Sequence, residues 1–183
     1  MDESLRKFDT VVAPYLSDAV ALAHWLTKNR ADAEDVVQEA CLRAYRSIST
    51  YAGGSARAWV LTIVRNTAIS WMERNRNVGT MFVDGLSVDQ WSELENAGDW
   101  ATWTPSTPET ELIAKVSAAE LEAAIAALPV KLREALILRD IHGLEYREIA
   151  SVVGIPIGTV MSRLARARRQ LLSALRNTGE PGN

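Results

Sequence analysis

The sequence predicts an all-α protein of two small helical domains, and three observations carry that expectation. Apolar residues recur three or four positions apart through most of residues 4–75 and again over 110–175, the spacing of amphipathic helices. Strand signals are weak everywhere. Between the helical stretches, residues 77–112 lose periodicity and gather Gly79, Gly85, Gly98, Pro105 and Pro108 among Ser, Thr, Asp and Glu, the composition of a flexible linker. The expected organisation is a helical bundle over 1–76, an acidic linker over 77–112, and a second helical domain over 113–176 that ends in a helix-turn-helix.

The first domain begins with apolar positions Leu5, Phe8, Val12, Leu16, Val20, Ala23 and Leu26, interrupted or kinked at Pro14. Asp32 stands where a helix N-cap is wanted. After it, Val36, Val37, Ala40, Cys41, Ala44, Tyr45 and Ile48 form one stripe. The glycines after Tyr51 predict a loop. Ser55 is then a candidate cap for a helix holding Trp59, Ile63, Ile69 and Trp71.

In the second domain, periodicity returns near Thr110 with Leu112, Val116, Leu121 and Ile125. Pro129 suits the first position of the next helix, which carries Leu132, Leu136 and Ile137, and Gly143 ends it. Residues 145–153 form the next helix, with Ile149, Ala150 and Val153 inward. Gly154-Ile155-Pro156 supplies a turn. Residues 157–175 make a long helix with Val160, Leu164, Ala167 and Leu171 as its stripe.

Charge is distributed unevenly. The chain has 183 residues and a net charge of −3. Residues 77–112 hold seven acids and no base, whereas residues 129–176 hold nine bases against four acids. A local basic excess matters for nucleic acid even in an acidic chain, because phosphate contacts dominate that affinity. Cys41 is alone, so no disulfide framework is expected and a reducing compartment is the default. His24 and His142 have no ligand-like neighbours at helical spacing, so no metal site is expected. The N-terminal residues lack the apolar core of a secretion signal, and no run of about 18 apolar residues suggests a membrane span.

Three constellations could carry function. On the last helix, Thr159, Met161, Ser162, Arg163, Ala165, Arg166 and Arg169 are candidates for the face away from the stripe. Arginine there can pair bidentately with guanine or clamp phosphates. A solvated basic face is the plainer reading, but Ala150-x-x-x-Gly154-Ile155-Pro156 ahead of the helix favours a nucleic-acid reader. At the start of the Asp32 helix, Glu34, Asp35, Gln38 and Glu39 suit the helix dipole, and on charge pattern alone capping with solubility is the preferred explanation. Over Tyr51–Arg76, Tyr51, Trp59 and Trp71 alternate with Arg57, Arg65, Arg74 and Arg76. Aromatics beside cations suit unstacked single-stranded bases, but buried tryptophans with a basic rim give the same pattern.

Taken in order, AEDVVQEACLRAYRSI (33–48), Trp59-x-x-x-Ile63-x-x-Asn66, LPVKLREALILRDIHGLEYREIA (128–150) and GIPIGTVMSRLARARRQL (154–171) resemble the bacterial RNA polymerase sigma factors of the extracytoplasmic-function (ECF) group, within the sigma-70 family. The resemblance implies a region 2 bundle and a region 4 helix-turn-helix. It implies that Asp35, Gln38, Glu39 and Arg43 dock on the β′ clamp helices of core RNA polymerase, and that region 4 docks on the β flap. Tyr51, Trp59, Arg65, Asn66, Ser70, Trp71 and Arg74 would read and open the minus-ten element, holding a flipped base. Arg147, Thr159, Met161, Ser162, Arg163, Arg166 and Arg169 would read the minus-thirty-five element. Met161 departs from the Lys or Arg of many members.

The expected protein is therefore a cytoplasmic promoter-specificity subunit and not an enzyme. It needs no cofactor, metal or small-molecule substrate and inserts in no membrane. Its partners are core polymerase, promoter DNA and an anti-sigma factor, often in a stress response. Free in solution, its two lobes are expected to pack together and hide DNA-binding surfaces. Two other readings stay open. A stand-alone helix-turn-helix regulator would bind duplex operators without polymerase, usually as a dimer. An enzyme or signalling domain with an incidental helix-turn-helix would need a reactive pocket, for which the sequence offers no nucleophile elbow or phosphate-binding glycine loop.

Overall fold

The computed structural model describes residues 3–75 and 117–178. The expected linker, with Trp91, Trp100 and Trp103, lies outside the described residues, as do Arg76 and the periodic positions Leu112 and Val116. Every regular element among the described residues is helical. Their contacts divide them into two compact units, one combining 3–75 with Ile137–Ile155, the other combining 117–136 with 156–178. The division falls inside the helix-turn-helix pattern.

In the first unit, α1 (Glu3–Val11) runs into a 3₁₀ turn at Ala13–Tyr15 that contains Pro14, and α2 follows (Leu16–Thr27). The break at Pro14 resets the helix phase, so the expected stripe does not continue across it. On α2 the inward residues are Ala19, Leu22, Ala23 and Leu26, while Val20 is 44% exposed. Leu5 also faces out. Lys28 ends α2 in the left-handed region (φ 59°), its N–H donating to the His24 carbonyl.

Helix α3 (Arg30–Ser47) starts three residues earlier than expected. Its N-cap is Asn29, whose extended backbone lets Oδ1 accept the Asp32 N–H at 3.1 Å. Asp32 is thus the third helical residue, and its charge acts on the helix dipole rather than as the cap. The stripe falls on Ala33, Val36, Ala40, Ala44 and Ile48, all buried. Tyr45 lies at its edge, meeting Phe8 edge-on with centroids 5.9 Å apart.

Ser55 caps α4 (Ala56–Arg74) as expected, accepting the Ala58 N–H at 3.2 Å. Apolar residues run around α4 rather than along one side, the pattern of a helix covered from several directions. It packs on α2 and α3 and also on α7 (Tyr146–Val153), the first helix of the helix-turn-helix. Leading into α7, residues Ile137–Ile141 form a π-helical turn, with His142 N–H bonded to the Ile137 carbonyl. Gly143 (φ 66°) closes that turn, and Gly154 (φ 77°) ends α7 by donating to the Ala150 carbonyl. A Cβ is disfavoured in both conformations. On α7, Val152 is buried with Ile149 and Val153, while Ala150 is only partly covered.

The second unit contains α5 (Ala118–Ala127), α6 (Val130–Leu136) and α8 (Ile157–Thr178). Ser117 and Glu120 form a reciprocal capping box at the start of α5. Pro129 sits one residue ahead of its expected position. It precedes α6 and its carbonyl accepts the Arg133 N–H at 2.9 Å. Arg133 is itself buried and donates through Nη1 to the carbonyls of Ala126 and Leu128, both at 2.9 Å, which satisfies the end of α5. The expected stripe of α8 is buried, and Leu175 extends it.

Candidate nucleic-acid and protein interfaces

Four helices, α3, α4, α7 and α8, carry the sequence-predicted residues apart from Tyr51. On α3, Asp35 and Gln38 are exposed, and Glu39 and Arg43 are partly so. Arg43 Nε donates to Glu39 Oε1 at 2.8 Å, and this bond holds the Glu39 carboxyl below its ordinary value. An exposed i,i+4 pair of this kind adds little stability, so its use is to present a pre-set charge pattern. Sequence reasoning missed Leu42, which is 54% exposed. It lies three, four and seven residues from Glu39, Gln38 and Asp35, hence on their face of the helix. An apolar residue outside the Ala33–Ile48 stripe was the available signal.

The candidate minus-ten residues divide by helical geometry. Tyr51 precedes α4, its hydroxyl donating to the Gly54 carbonyl at 2.8 Å and its ring 5.3 Å from that of Trp59. Gly53 and Gly54 have φ of 104° and 91°, which brings the loop back to the Tyr51 hydroxyl. Trp59, Asn66, Ser70 and Arg74 form one line along α4, because offsets of seven, eleven and fifteen residues return near the same azimuth. Arg65 and Trp71 stand about 120° to either side of that line at 100° per residue. Arg65 Nη1 reaches back to Asn66 Oδ1 at 3.1 Å, and Arg74 Nε donates to the Ser70 carbonyl at 3.3 Å. Four of the residues therefore share one face of α4, with Tyr51 against Trp59 at its start, and two do not.

On α8 and α7 the outcome is mixed. Arg147 and Arg169 are exposed, and Thr159, Met161 and Arg166 are partly exposed. Ser162 and Arg163 are only 5% and 7% exposed, so the expectation that both face outward is corrected. Arg163 follows Val160 by three and precedes Ala167 by four, which is the spacing of the buried stripe itself. Its Nη1 lies 4.0 Å from Glu134 Oε2 on α6, and both side chains are buried. The Ser162 hydroxyl bonds its own helix at the Thr159 carbonyl, 3.0 Å away. Charge suggested an outward Arg163, while the periodicity already placed it inward.

Nothing among the described residues gathers three or more His, Cys, Asp or Glu as a metal site. No single described helix is long and apolar enough to cross a membrane. Cys41 is half-buried and lines a small apolar cavity with Val12, Leu16 and Val60, and burial raises its thiol above the ordinary value, away from the reactive thiolate.

Against known proteins, residues 11–78 match the family described as Sigma-70 region 2, and residues 118–171 match Sigma-70, region 4. The ECF RNA polymerase sigma-E factor of Escherichia coli is 32% identical over 168 residues, covering 91% of this chain and 85% of that protein. The chain belongs to the ECF RNA polymerase sigma factors. The sigma factor SigE of Mycolicibacterium smegmatis is also 32% identical, over 92% of this chain, which spans 61% of the length of that relative. Among solved structures, the sigma factor RpoE of Bartonella quintana, crystallised with the anti-sigma factor NepR, superposes with a TM-score of 0.66 at 24% identity. The match covers 92% of this chain and 96% of that one, a likeness of fold. In this ECF sigma factor, α2, α3 and α4 fall within region 2, and α5 to α7 and most of α8 within region 4.

Proposed function

We propose that this sigma factor binds core RNA polymerase in the cytoplasm and directs it to a subset of promoters, helping to open them. The observation that carries the proposal is that regions 2 and 4 match in order on the two helical parts of the chain. Each part also presents side chains suited to its task. Helix α3 offers Asp35, Gln38, Glu39 and Arg43 to the β′ clamp helices, with region 4 left to meet the β flap. Tyr51, Trp59, Asn66, Ser70 and Arg74 form an aromatic and polar surface suited to an unstacked base of the minus-ten element. Arg65 and Trp71 would contact the strand from the sides. Arg147, Thr159, Met161, Arg166 and Arg169 would meet the minus-thirty-five duplex, a reading supported by their exposure, while Arg163 and Ser162 are buried. An anti-sigma protein would keep the factor from polymerase until a signal arrives, and the pairing in the Bartonella quintana crystal supports that reading.

Run-off transcription on fragmented genomic DNA tests the proposal, using core polymerase with and without this protein. Discrete new transcripts that share an upstream motif are the expected result. Sequence-specific operator binding without any affinity for core polymerase would overturn it in favour of a stand-alone regulator.

A further inference from the structure

The region 2 and region 4 surfaces proposed above leave one charged cluster unused. Asp18 on α2 receives Arg57 Nε from the first turn of α4 at 2.7 Å through Oδ2. Its other oxygen, Oδ1, lies 3.6 Å from Nδ1 of His142, on the turn that leads into α7. His142 is 4% exposed, and among the described residues its Nε2 has no hydrogen-bond partner. A second polar link runs alongside, where the Ser55 hydroxyl at the N-cap of α4 donates to Glu148 Oε1 of α7 at 3.1 Å. All five residues belong to the first compact unit.

We propose that Asp18, Arg57 and His142 form a latch, releasable by acid, that holds the first helix of the region 4 helix-turn-helix on α4 in the resting protein. Three features support it. The covering of α4 by α7 answers the apolar residues that run around that helix. The turn that carries His142 is stiffened from within. Arg139 donates to the Leu144 carbonyl at 2.8 Å, approaches Glu145 at 3.6 Å and lies over the Tyr146 ring. Finally, the buried imidazole is acted on by one anion and one cation, and among the described residues its Nε2 has no acceptor for a second proton.

The titratable and charged groups on the elements around His142 are Asp18 and His24 on α2, Arg57, Arg65, Glu73 and Arg74 on α4, Arg139 and Asp140 on the preceding turn, and Glu145, Arg147 and Glu148 leading into and on α7. Asp18 and Arg57 are the two that act on the imidazole, and they oppose each other. Burial is the largest influence and favours the neutral ring, so the His142 pKa lies below its ordinary value of 6.5. A base with a depressed pKa in the latched state binds its proton more strongly once released. The latch is therefore fully stabilised above pH 6.5 and weakens as pH falls below it. The open fraction then grows by up to about tenfold per pH unit.

The role assigned to α4 rests on the promoter-opening proposal, but the latch itself is measurable without polymerase or DNA. Amide hydrogen exchange of the full chain would be followed over residues 146–153 and, as an internal reference, over α3. In the wild type, after correction for intrinsic exchange, protection of 146–153 should drop about tenfold between pH 7.5 and 5.5 while α3 stays protected. Asp18→Asn should lower it at pH 7.5. His142→Leu, which keeps the volume and cannot titrate, should retain protection and abolish the pH dependence. Protection independent of pH in the wild type, or a pH dependence that survives His142→Leu, would overturn the latch. Should Asp18→Asn also loosen α3, the wild-type and His142→Leu series decide alone. Failure of the promoter-opening reading would appear in run-off transcription and leave the exchange data unchanged.

Discussion

Arg163 and Glu134 are a buried ion pair in a domain expected to bind phosphate, and this changes what an arginine substitution there would mean. Removing one member of a buried ion pair costs about 3–5 kcal/mol, whereas replacing both by apolar residues is often neutral. Arg163→Met should therefore lower the urea midpoint of the second unit sharply, and Glu134→Leu with Arg163→Met should recover most of the loss. Circular dichroism through a urea titration checks this. A purely DNA-reading Arg163 would instead leave the midpoint unmoved. Leu42 is the converse case, an apolar side chain among polar neighbours on α3. Buried apolar anchors dominate protein interfaces. Leu42→Asp should weaken binding to core polymerase by at least about tenfold, equivalent to about 1.4 kcal/mol, with thermal stability unchanged. Fluorescence anisotropy with labelled protein measures it.

Helix α8 has a buried face and an exposed one. Its buried line of Val160, Leu164, Ala167, Leu171 and Leu175 holds the unit together, and Arg166 and Arg169 remain outside that line. Each phosphate contact contributes close to one unit to the salt dependence of binding. Arg169→Ala should therefore reduce the slope of log affinity against log salt by about 1 for the polymerase holoenzyme on a minus-thirty-five duplex. An unchanged slope would place Arg169 off the DNA. At the other elements, turn chemistry was plain in the sequence. Ser55, Gly143 and Gly154 each do what their residue type suggests, because capping and left-handed geometry depend on one or two residues. Asn29 and Asp32 show the limit of that logic. Both are good caps, and the extended backbone at Asn29, after Lys28 in the left-handed region, selects the earlier one.

Across the whole molecule, charge separation suggests a second restraint besides the latch. Residues 77–112 carry seven acids and no base, against an excess of five positive charges in 129–176. A tethered acidic segment competes with DNA for those arginines. Deleting residues 84–104 should then strengthen binding of the free protein to DNA at low salt, as read by electrophoretic mobility. Equal affinity with and without the segment would remove that role from it. The latch answers to pH and the acidic segment to ionic strength, so the two restraints can be separated by varying one condition at a time.

Local chemistry alone determined much of this protein: the helices, the cap at Ser55 and the glycine turns at Gly143 and Gly154, the Val160–Leu171 stripe and the order of motifs that marks the family. Each of these depends on neighbours a few positions apart, which the chain carries in its own spacing. Tertiary structure decided what depends on distant partners. It turned Val20 outward after the Pro14 break, placed Arg163 beside Glu134, left Leu42 uncovered on α3, and brought His142 to Asp18 from the far end of the other motif. Burial and ion pairing are set by which surfaces meet. A periodic pattern states that a face is apolar, and only the packed chain states what lies against it.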